Sequence, residues 1–346
     1  MQIKYSINKV ENRVIFCPDT EGLKIIKKNV SSTAIAGDLS RLYSDKKILL
    51  IIDKKIHKSI TKYLIHDLKI SNFKMSIMMV DGNKNNKDMK LLFKIINKLF
   101  DKKFTKKSVI ISCGGGVIGD VSALASSLYL RGLIHFHIPT TMTAVIDSCI
   151  GGKTGINYKG IINSIGTYYH SKRVYISKNI LNLIPKREFL AGIPEIIKCG
   201  LIHKKSILTQ LNNKNKIIKR NFPYIAKIIK SALKTKIEFF KDDVNEENKR
   251  LRLNFGHTFA HAIEMALQTE KRNEIRHGEA VGLGLLCEIY YAFGKNNSFL
   301  ITKKFLKKYK LPTNLKSFIS KNQFNKIENL IYQNIFLDKK RVNTFP

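Results

Sequence analysis

The pattern of apolar positions divides the chain into two parts with different periodicities. Residues 48–52 form a continuous apolar run that ends in Asp53, and residues 108–113 form another. Such runs are typical of strands buried on both faces of a parallel sheet. Helical periodicity over residues 55–68 and 89–100, with a further strand over 75–80, gives a β-α-β-α-β order. This order predicts an α/β domain, preceded by an antiparallel pair of strands over residues 5–7 and 13–16.

From Pro185 onward the apolar positions recur at helical spacing. The pattern predicts helices over residues 187–202, 217–242 and 253–264, one that begins at His277, and a helical tail from Lys303. We therefore expect two domains, a nucleotide-binding parallel-sheet domain over residues 1–184 and an all-helical metal-binding domain over residues 185–346.

A glycine-rich turn follows the strand over residues 108–113. It reads Gly114-Gly115-Gly116-Val117-Ile118-Gly119-Asp120, and a helix is predicted over residues 121–130. Glycines at a strand-to-helix turn let backbone N–H groups approach a phosphate, which the helix N-terminus also attracts. The spacing differs from G-x-G-x-x-G, so a tight turn without a ligand is the alternative. Thr140 and Thr141 end the next predicted strand and add hydroxyl groups.

The segment Gly151-Gly152-Lys153-Thr154 resembles a P-loop only in part. Asp147 stands where the P-loop has its first glycine, which argues against ATP hydrolysis. Lys153 is nevertheless well placed to meet a phosphate as a point charge, and Asn163 follows after another glycine-containing turn.

Three of the nine histidines lie close together in the second part of the chain. His257 and His261 are four residues apart and share a helix face, and His277 begins the next helix. Such a set consists of metal ligands, of ligands plus a base, or of hydrogen-bonded core histidines; the clustering favours a metal. Glu195 and Lys198 lie one helical turn apart, a spacing also found in solvated ion pairs.

Composition narrows the function classes. The net charge of +36 suggests nucleic-acid binding, yet the lysines are spread along the chain with many Ile and Asn, as A+T-rich codon usage produces. We therefore expect no specific nucleic-acid partner. No apolar run is long enough to span a membrane, and five scattered cysteines indicate reduced thiols in a cytoplasmic protein.

Taken together, these motifs resemble the 3-dehydroquinate synthase family, which are zinc- and NAD-dependent sugar-phosphate cyclases. The resemblance rests on eight blocks in the family's order: residues 114–120, 139–141, 147–157, 163–166, 183–185, 195–198, 253–264 and 277–281. It implies an α/β domain, a helical domain, a cleft between them, a homodimer, and a sugar-phosphate acid as substrate.

The resemblance also implies roles for individual residues. Glu195, His257 and His277 would hold zinc or cobalt, and His261 would lie beside the substrate phosphate instead of binding the metal. The NAD-binding side chains and turns would be Asp53, Gly114, Gly115, Gly116, Val117, Asp120, Thr140, Thr141, Asp147 and Lys153. The residues around the substrate would be Lys153, Asn163, Lys198, Lys236, Glu246, Arg250, Asn254, His261, a C-terminal lysine at position 340, and Arg131 from a partner subunit.

Some positions depart from the family's pattern. Lys55 replaces an Asn, Asn83 replaces an acid expected to bind an adenosine hydroxyl, and Ile162 replaces a Lys. Leu183 and Ala260 replace a Thr and a Gly. Besides an active synthase, these departures leave open a related cyclase, a metal-dependent alcohol or glycerol dehydrogenase, and a non-catalytic homologue.

Overall fold

The computed structural model describes residues 1–17, 39, 47–56, 58–70, 73–270 and 275–337. The chain forms two compact units, Met1–Ile184 and Pro185–Pro346. Lys340 lies outside the described residues. Within them, no helix is both long enough and apolar enough to cross a bilayer.

Seven strands of the first unit form one sheet: β1 (Gln2–Ile7), β2 (Val10–Cys17), β3 (Lys47–Asp53), β4 (Lys74–Val80), β5 (Val109–Gly114), β6 (Ile134–Pro139) and β9 (Arg173–Ser177). Their order in the sheet is β1-β2-β9-β6-β5-β3-β4. All neighbours pair in parallel except β1 and β2, which form the antiparallel pair expected at the start of the chain. A separate hairpin joins β7 (Ile156–Tyr158) to β8 (Ile161–Ile165).

Strand β3 shows why the apolar run over residues 48–52 is continuous. Leu49 and Ile51 belong to one buried cluster, whereas Ile48, Leu50 and Ile52 belong to another. Successive side chains of a strand point to opposite faces, so a strand buried on both faces needs an apolar residue at every position. The prediction of a buried parallel strand is confirmed.

Helices of the first unit connect these strands. They are Lys58–Ile70, Met89–Asp101, Gly116–Leu128 and Lys178–Leu183. The helix expected over residues 121–130 begins earlier, at Gly116, so that start was wrong. The sequence pattern assigns all the glycines over residues 114–119 to the turn. In the structure Gly115 is the extended N-cap, and the helix begins immediately after it. Strand β9 and the short hairpin were not predicted, because their apolar runs are brief.

The named elements of the second unit are all helical. The α-helices are Lys186–Leu190, Ile193–Ile202, Lys205–Gln210, Lys214–Ile218, Phe222–Phe240, His257–Thr269, His277–Phe293, Asn297–Lys308 and Phe324–Leu337. Two predicted helices are divided. The helix expected over residues 187–202 is interrupted before Gly192, the N-cap of Ile193–Ile202. The one expected over 217–242 is two helices, because Asn221 caps a new helix with a proline in its first turn.

The helices His257–Thr269 and His277–Phe293 approach each other closely where both carry glycine. A Cβ added at Gly284 would lie 2.0 Å from the carbonyl oxygen of Gly256 and 2.9 Å from the backbone nitrogen of Ala260. Gly256 itself has φ +83°, a left-handed conformation that glycine adopts at no steric cost. The absence of a side chain at Gly284 therefore sets the distance between these two helices.

We predict that Gly284→Ala lowers the free energy of unfolding by about 1–3 kcal/mol, since the new methyl group must displace backbone atoms. Gly282→Ala on the same helix is the matched control. Its Cβ would meet mainly the flexible end of Leu306, at 2.9 Å, and alanine adds up to about 1 kcal/mol of helix propensity. Chemical denaturation of the two variants measures the difference, and equal stabilities would contradict this account of the packing.

Candidate functional site

A cluster of one carboxylate and two imidazoles forms the centre of the second unit. Oε1 of Glu195 lies 3.5 Å from Nε2 of His257 and 3.8 Å from Nε2 of His277. Ligand atoms of the three residues all lie within 4.8 Å of one another. Donor atoms around a tetrahedral zinc ion are roughly 3.4 Å apart, since each bond is about 2.1 Å long. The donor set and its spacing therefore fit one divalent metal ion.

The two imidazoles are held so that both Nε2 atoms face the Glu195 carboxylate. Nδ1 of His277 lies 3.0 Å from Oε2 of Glu264, and Nδ1 of His257 lies 3.3 Å from the carbonyl oxygen of Phe255. When Nδ1–H donates to an oxygen, the neutral ring keeps its lone pair on Nε2, as a metal ligand must. Sequence reasoning gave Glu264 no role, although it lies seven residues after His257 and thus on the same face of the helix.

Glu195 and Lys198 form a buried ion pair and are not on the surface. Each side chain is 1% exposed, and Nζ of Lys198 lies 2.6 Å from Oε2 of Glu195. The pair lies in the helix Ile193–Ile202, whose residues from Ile193 to Gly200 are all buried. A buried charge needs a close partner. Lys198 supplies it at one carboxylate oxygen, while Oε1 faces the two imidazoles.

His261 lies at the edge of this cluster. Its ring centroid is 5.7 Å from that of His257 and 6.1 Å from that of His277. With Glu264 and His277 it forms a second group of potential ligand atoms. His277 belongs to both groups, but each of its ring nitrogens faces only one of them. Nδ1 faces Glu264, and Nε2 faces Glu195. The set of Glu195, His257 and His277 is the better metal site. Glu264 then orients a ligand.

A salt bridge with two contacts holds the start of the His277 helix. Nε and Nη2 of Arg187 each lie 2.8 Å from a carboxylate oxygen of Glu279. Glu279 also accepts a hydrogen bond from the backbone nitrogen of Arg276. A Cβ at Gly278 would lie 1.6 Å from the carbonyl oxygen of Ala191, so this turn packs directly on the backbone at the C-terminal end of the helix Lys186–Leu190. These contacts fix where His277 begins its helix.

Lys236 and Arg250 are buried, with exposed fractions of 5% and 2%. Nη1 of Arg250 donates to the carbonyl oxygen of Val244 at 2.6 Å, and its guanidinium lies over the ring of Phe240. Asp243 accepts hydrogen bonds from three backbone nitrogens, including that of Arg250. Removal from water raises the pKa of Asp243, but these hydrogen bonds and the charge of Arg250 outweigh that effect and lower it. Sequence reasoning did not single out Asp243.

In the first unit, the predicted nucleotide-binding residues gather at the carboxyl edge of the sheet. The strand order reverses between β3 and β5, and ligands of α/β proteins bind where such a reversal occurs. Asp53 at the end of β3 accepts hydrogen bonds from the backbone nitrogens of Lys55 and Gly82. A Cβ at Gly82 would lie 2.3 Å from the Asp53 carboxylate, so the contact requires glycine.

The glycine-rich turn lies beside Asp53 at the end of β5. Gly115 is the N-cap of the helix Gly116–Leu128, and a Cβ there would lie 3.1 Å from the side chain of Thr141. The backbone nitrogen of Thr140 donates to the carbonyl oxygen of Gly114. The turn presents first-turn N–H groups and the positive end of the helix dipole, which suit a phosphate group.

Lys87 is a buried cation that sequence reasoning missed among so many lysines. Its Nζ lies 2.5 Å from Oδ2 of Asp120 and donates to Oδ1 of Asn163. Asn163 has φ +53°, and its backbone nitrogen donates a hydrogen bond to Oδ1 of Asn157. Only the fold brings residues 87, 120 and 163 together, so no local motif could have indicated Lys87.

The remaining predicted residues lie in several settings. Asp147 is in a π-helical turn, Ala144–Ser148. Lys153 is exposed, and its backbone pairs with that of Tyr168 in an isolated antiparallel bridge. Arg131 is exposed with φ +60° at the end of a short 3-10 turn. Asn254 and Glu246 are half-buried near Arg250 in sequence. Their assigned roles stay predictions.

Two family models and a curated relative match most of the chain. Residues 77–191 match the family model described as 3-dehydroquinate synthase N-terminal, and residues 192–341 match 3-dehydroquinate synthase C-terminal. A 3-dehydroquinate synthase of Prochlorococcus marinus is 36% identical over 278 residues, which are 78% of this chain and 76% of the relative.

Solved structures share the fold. A 2-epi-5-epi-valiolone synthase of Streptomyces hygroscopicus, with NAD+ and Zn2+ bound, superposes with a TM-score of 0.79 at 20% identity, over 97% of this chain and 89% of its own. A 2-deoxy-scyllo-inosose synthase, complexed with carbaglucose-6-phosphate, NAD+ and Co2+, gives 0.79 at 21% identity, over 99% and 88%. The two family models and the curated relative show that the chain belongs to the 3-dehydroquinate synthase family.

Proposed function

We propose that this chain is an active 3-dehydroquinate synthase, which converts 3-deoxy-D-arabino-heptulosonate 7-phosphate to 3-dehydroquinate and phosphate in the shikimate pathway. The observation that carries the proposal is the buried cluster of Glu195, His257 and His277, in a chain that belongs to this family. The enzyme is a carbon–oxygen lyase that needs a metal and NAD.

Glu195, His257 and His277 hold zinc, or cobalt in its place. Three protein donors leave coordination positions open, as a catalytic metal site requires. When bound, the metal would supply a Lewis acid for a substrate hydroxyl, and NAD would supply reversible hydride chemistry. Lys198 balances the charge of Glu195, and Glu264 keeps the proton of His277 on Nδ1.

The carboxyl edge of the sheet in the first unit binds NAD. Asp53, whose carboxylate already orders two backbone N–H groups, lies next to the glycine turn that meets the pyrophosphate. The other NAD-binding residues in this proposal are Gly114, Gly115, Gly116, Val117, Asp120, Thr140, Thr141, Asp147 and Lys153. Lys87, which holds Asp120 and Asn163, orders the polar side of this edge.

The substrate carries a phosphate at one end and a carboxylate at the other. Contacts with the phosphate are assigned by the family resemblance to Lys153 and Asn163 of the first unit and to Asn254 and His261 of the second. Lys236 and Arg250 bind the carboxylate. The burial of these two cations supports this role, because most lysines and arginines of a protein lie on its solvated surface. The chain acts as a cytoplasmic homodimer, in which the exposed Arg131 reaches the partner's substrate and Glu246 supports the polar network.

Two alternatives make different predictions in the same assay. A cyclase for a neutral sugar phosphate, or an alcohol dehydrogenase, has no need of Arg250 and Lys236. A homologue without activity is suggested by the departures at Lys55, Asn83 and Ile162. Phosphate release from the heptulosonate phosphate, measured with and without added NAD, tests the proposal. Folded, metal-loaded protein that releases no phosphate with NAD present would contradict it.

We predict that His277→Ala lowers the zinc content well below one ion per subunit and abolishes phosphate release, since it removes one of three ligands. Glu264→Gln should weaken metal binding by about 10–100-fold, because it removes the anionic partner of Nδ1. His203→Ala is the control, as His203 is exposed in the same unit. Metal analysis after dialysis gives the readout. Full metal content in His277→Ala would show that the ligand set is wrong.

We predict weak NAD binding that Asn83→Glu strengthens. One regained hydrogen bond to an adenosine hydroxyl is worth about 0.5–1.5 kcal/mol, or up to about tenfold in Kd. Asn85→Glu, in the same short turn and exposed, adds the same charge at a position without this role. Calorimetric titration with NAD compares the three proteins. Wild-type affinity equal to that of a relative with the usual contacts would count against the prediction.

We predict that Arg250→Lys cuts kcat/KM for the heptulosonate phosphate by about tenfold or more, since a guanidinium binds a carboxylate through two charge-assisted hydrogen bonds worth about 1.5–3 kcal/mol each. Lys249→Ala should have almost no effect, because Lys249 is partly exposed and pairs only with Asp242 in the described contacts. Similar small effects of both changes would favour a different cyclase substrate.

A further inference from the structure

Two histidines and two serines form a buried hydrogen-bonded chain in the first unit. Oγ of Ser171 lies 2.9 Å from Nδ1 of His135. Nε2 of His135 lies 2.8 Å from Oγ of Ser112, which in turn lies 2.8 Å from Nδ1 of His137. Ser112 is on β5, and both histidines are on the neighbouring strand β6. Ser112, His135 and His137 are buried, whereas Ser171 is only partly buried.

Both imidazoles are neutral at physiological pH. Burial, followed by the nearby His137, lowers the pKa of His135 well below its usual range. Burial lowers the pKa of His137 to about 4, although the hydrogen bond with Ser112 opposes the shift. A neutral ring has one N–H donor and one lone pair, so each ring can receive a hydrogen bond at one nitrogen and donate one at the other.

The distances at Ser112 indicate that all hydrogen bonds of the chain point the same way along it. Its hydroxyl carries a single proton and lies 2.8 Å from a nitrogen of each ring, but 3.4 Å from the carbonyl oxygen of Phe136. The shorter contacts are much the better hydrogen bonds. Ser112 therefore donates to one ring and accepts from the other, so the bonds run head to tail from Ser171 to His137 or in the reverse direction.

The chain runs along a small polar cavity. Nε2 of His137 is buried and forms no hydrogen bond with any described residue. It faces Gly119, where a Cβ would lie only 3.0 Å from this nitrogen. The cavity has a volume of about 20 Å³, and its lining includes both ends of the chain, the buried His137 and the partly exposed Ser171, together with Asp120 and Lys153. A volume of roughly 10–15 Å³ with polar partners is enough for one water molecule.

We propose that this chain is a proton relay along the wall of the cavity, from a water molecule bound to Nε2 of the buried His137 to the solvent at the partly exposed Ser171. In the inward-to-outward step, Nε2 of His137 takes a proton from the cavity, and Nδ1–H of His137 passes to Ser112. The hydroxyl proton of Ser112 passes to Nε2 of His135, Nδ1–H of His135 passes to Ser171, and Ser171 releases its own proton to solvent. Every member ends neutral with its hydrogen bonds reversed, and the opposite step restores them.

The low pKa values suit this concerted transfer, because no charged imidazolium is formed on the way. The use of the relay in turnover rests on the proposed function. Oxidation of a secondary alcohol to a ketone releases one proton, and the later reduction takes one up. A reversible path beside Asp120 and Lys153 serves both steps. His135 and His137 act here through water, as positioning and relay residues.

The arrangement of protons can be measured without any activity. A head-to-tail chain requires His135 and His137 to carry their proton on the same nitrogen, both on Nδ1 or both on Nε2. If Ser112 instead accepts from both rings and donates to Phe136, the two rings carry opposite tautomers. Nitrogen-15 NMR of the full-length protein at neutral pH, assigned with His135→Gln and His137→Gln, distinguishes the two cases. The same tautomer in both rings is expected, and opposite tautomers or a charged ring would overturn the relay.

Ser112→Ala tests the function of the relay. We expect kcat for phosphate release to fall about tenfold, with KM changed less than about twofold and with a changed solvent deuterium isotope effect. Ser126→Ala is the matched control, since Ser126 is also buried but its hydroxyl donates to the carbonyl oxygen of Ser122 within its own helix. Equal kcat values for the two variants would overturn the role in turnover. A wild-type protein without activity would refute the proposed function, while the tautomers would still decide whether the chain can relay protons.

Discussion

The carboxylate of Glu195 is the constraint on which the second unit depends. It is 1% exposed, and a buried carboxylate is stable only with partners that compensate its charge. Lys198 provides one from the same helix, while His257 and His277 come from two other helices. The three helices must therefore meet with both Nε2 atoms directed at one oxygen. Removing one partner of a buried ion pair typically costs about 3–5 kcal/mol, so this cluster ties function to stability.

Glycine makes this convergence possible. Gly278 lets the start of the His277 helix rest on the carbonyl oxygen of Ala191, and Gly284 lets the same helix contact the backbone at Gly256. The salt bridge between Arg187 and Glu279 then fixes the rotation of the helix start. Glu264 and the Phe255 carbonyl set the rings. Backbone packing determines where each imidazole lies, and hydrogen bonds determine which nitrogen it offers.

In the first unit, residues that are distant in the sequence likewise come together, at the carboxyl edge of the sheet. The end of β3 and the end of β5 are neighbours because the strand order reverses between them. Asp53 and the glycine turn are thus adjacent without any local signal that joins them. Lys87 adds a buried cation between Asp120 and Asn163. The chain has a net charge of +36, and most of its lysines and arginines are solvated. The few that are buried, such as Lys87, therefore indicate where a functional site lies.

The sequence by itself determined the elements whose cause is local. The apolar run of β3, the glycine turn and the four-residue spacing of His257 and His261 each follow from side-chain periodicity or backbone freedom. So does the division into an α/β part and a helical part. Boundaries were less certain where one residue type serves two purposes, as with glycine at the start of the helix Gly116–Leu128.

Only the tertiary structure decided which distant residues meet and how deeply they are buried. Glu195 and Lys198 have the spacing of a surface ion pair, and burial alone distinguishes them from one. Lys87 and Asp243 resemble any other charged residue in the sequence. The chain of histidines and serines joins Ser112 on β5, two histidines on the neighbouring strand β6, and Ser171 just before β9. Such contacts depend on strand order and helix packing, which no local pattern encodes.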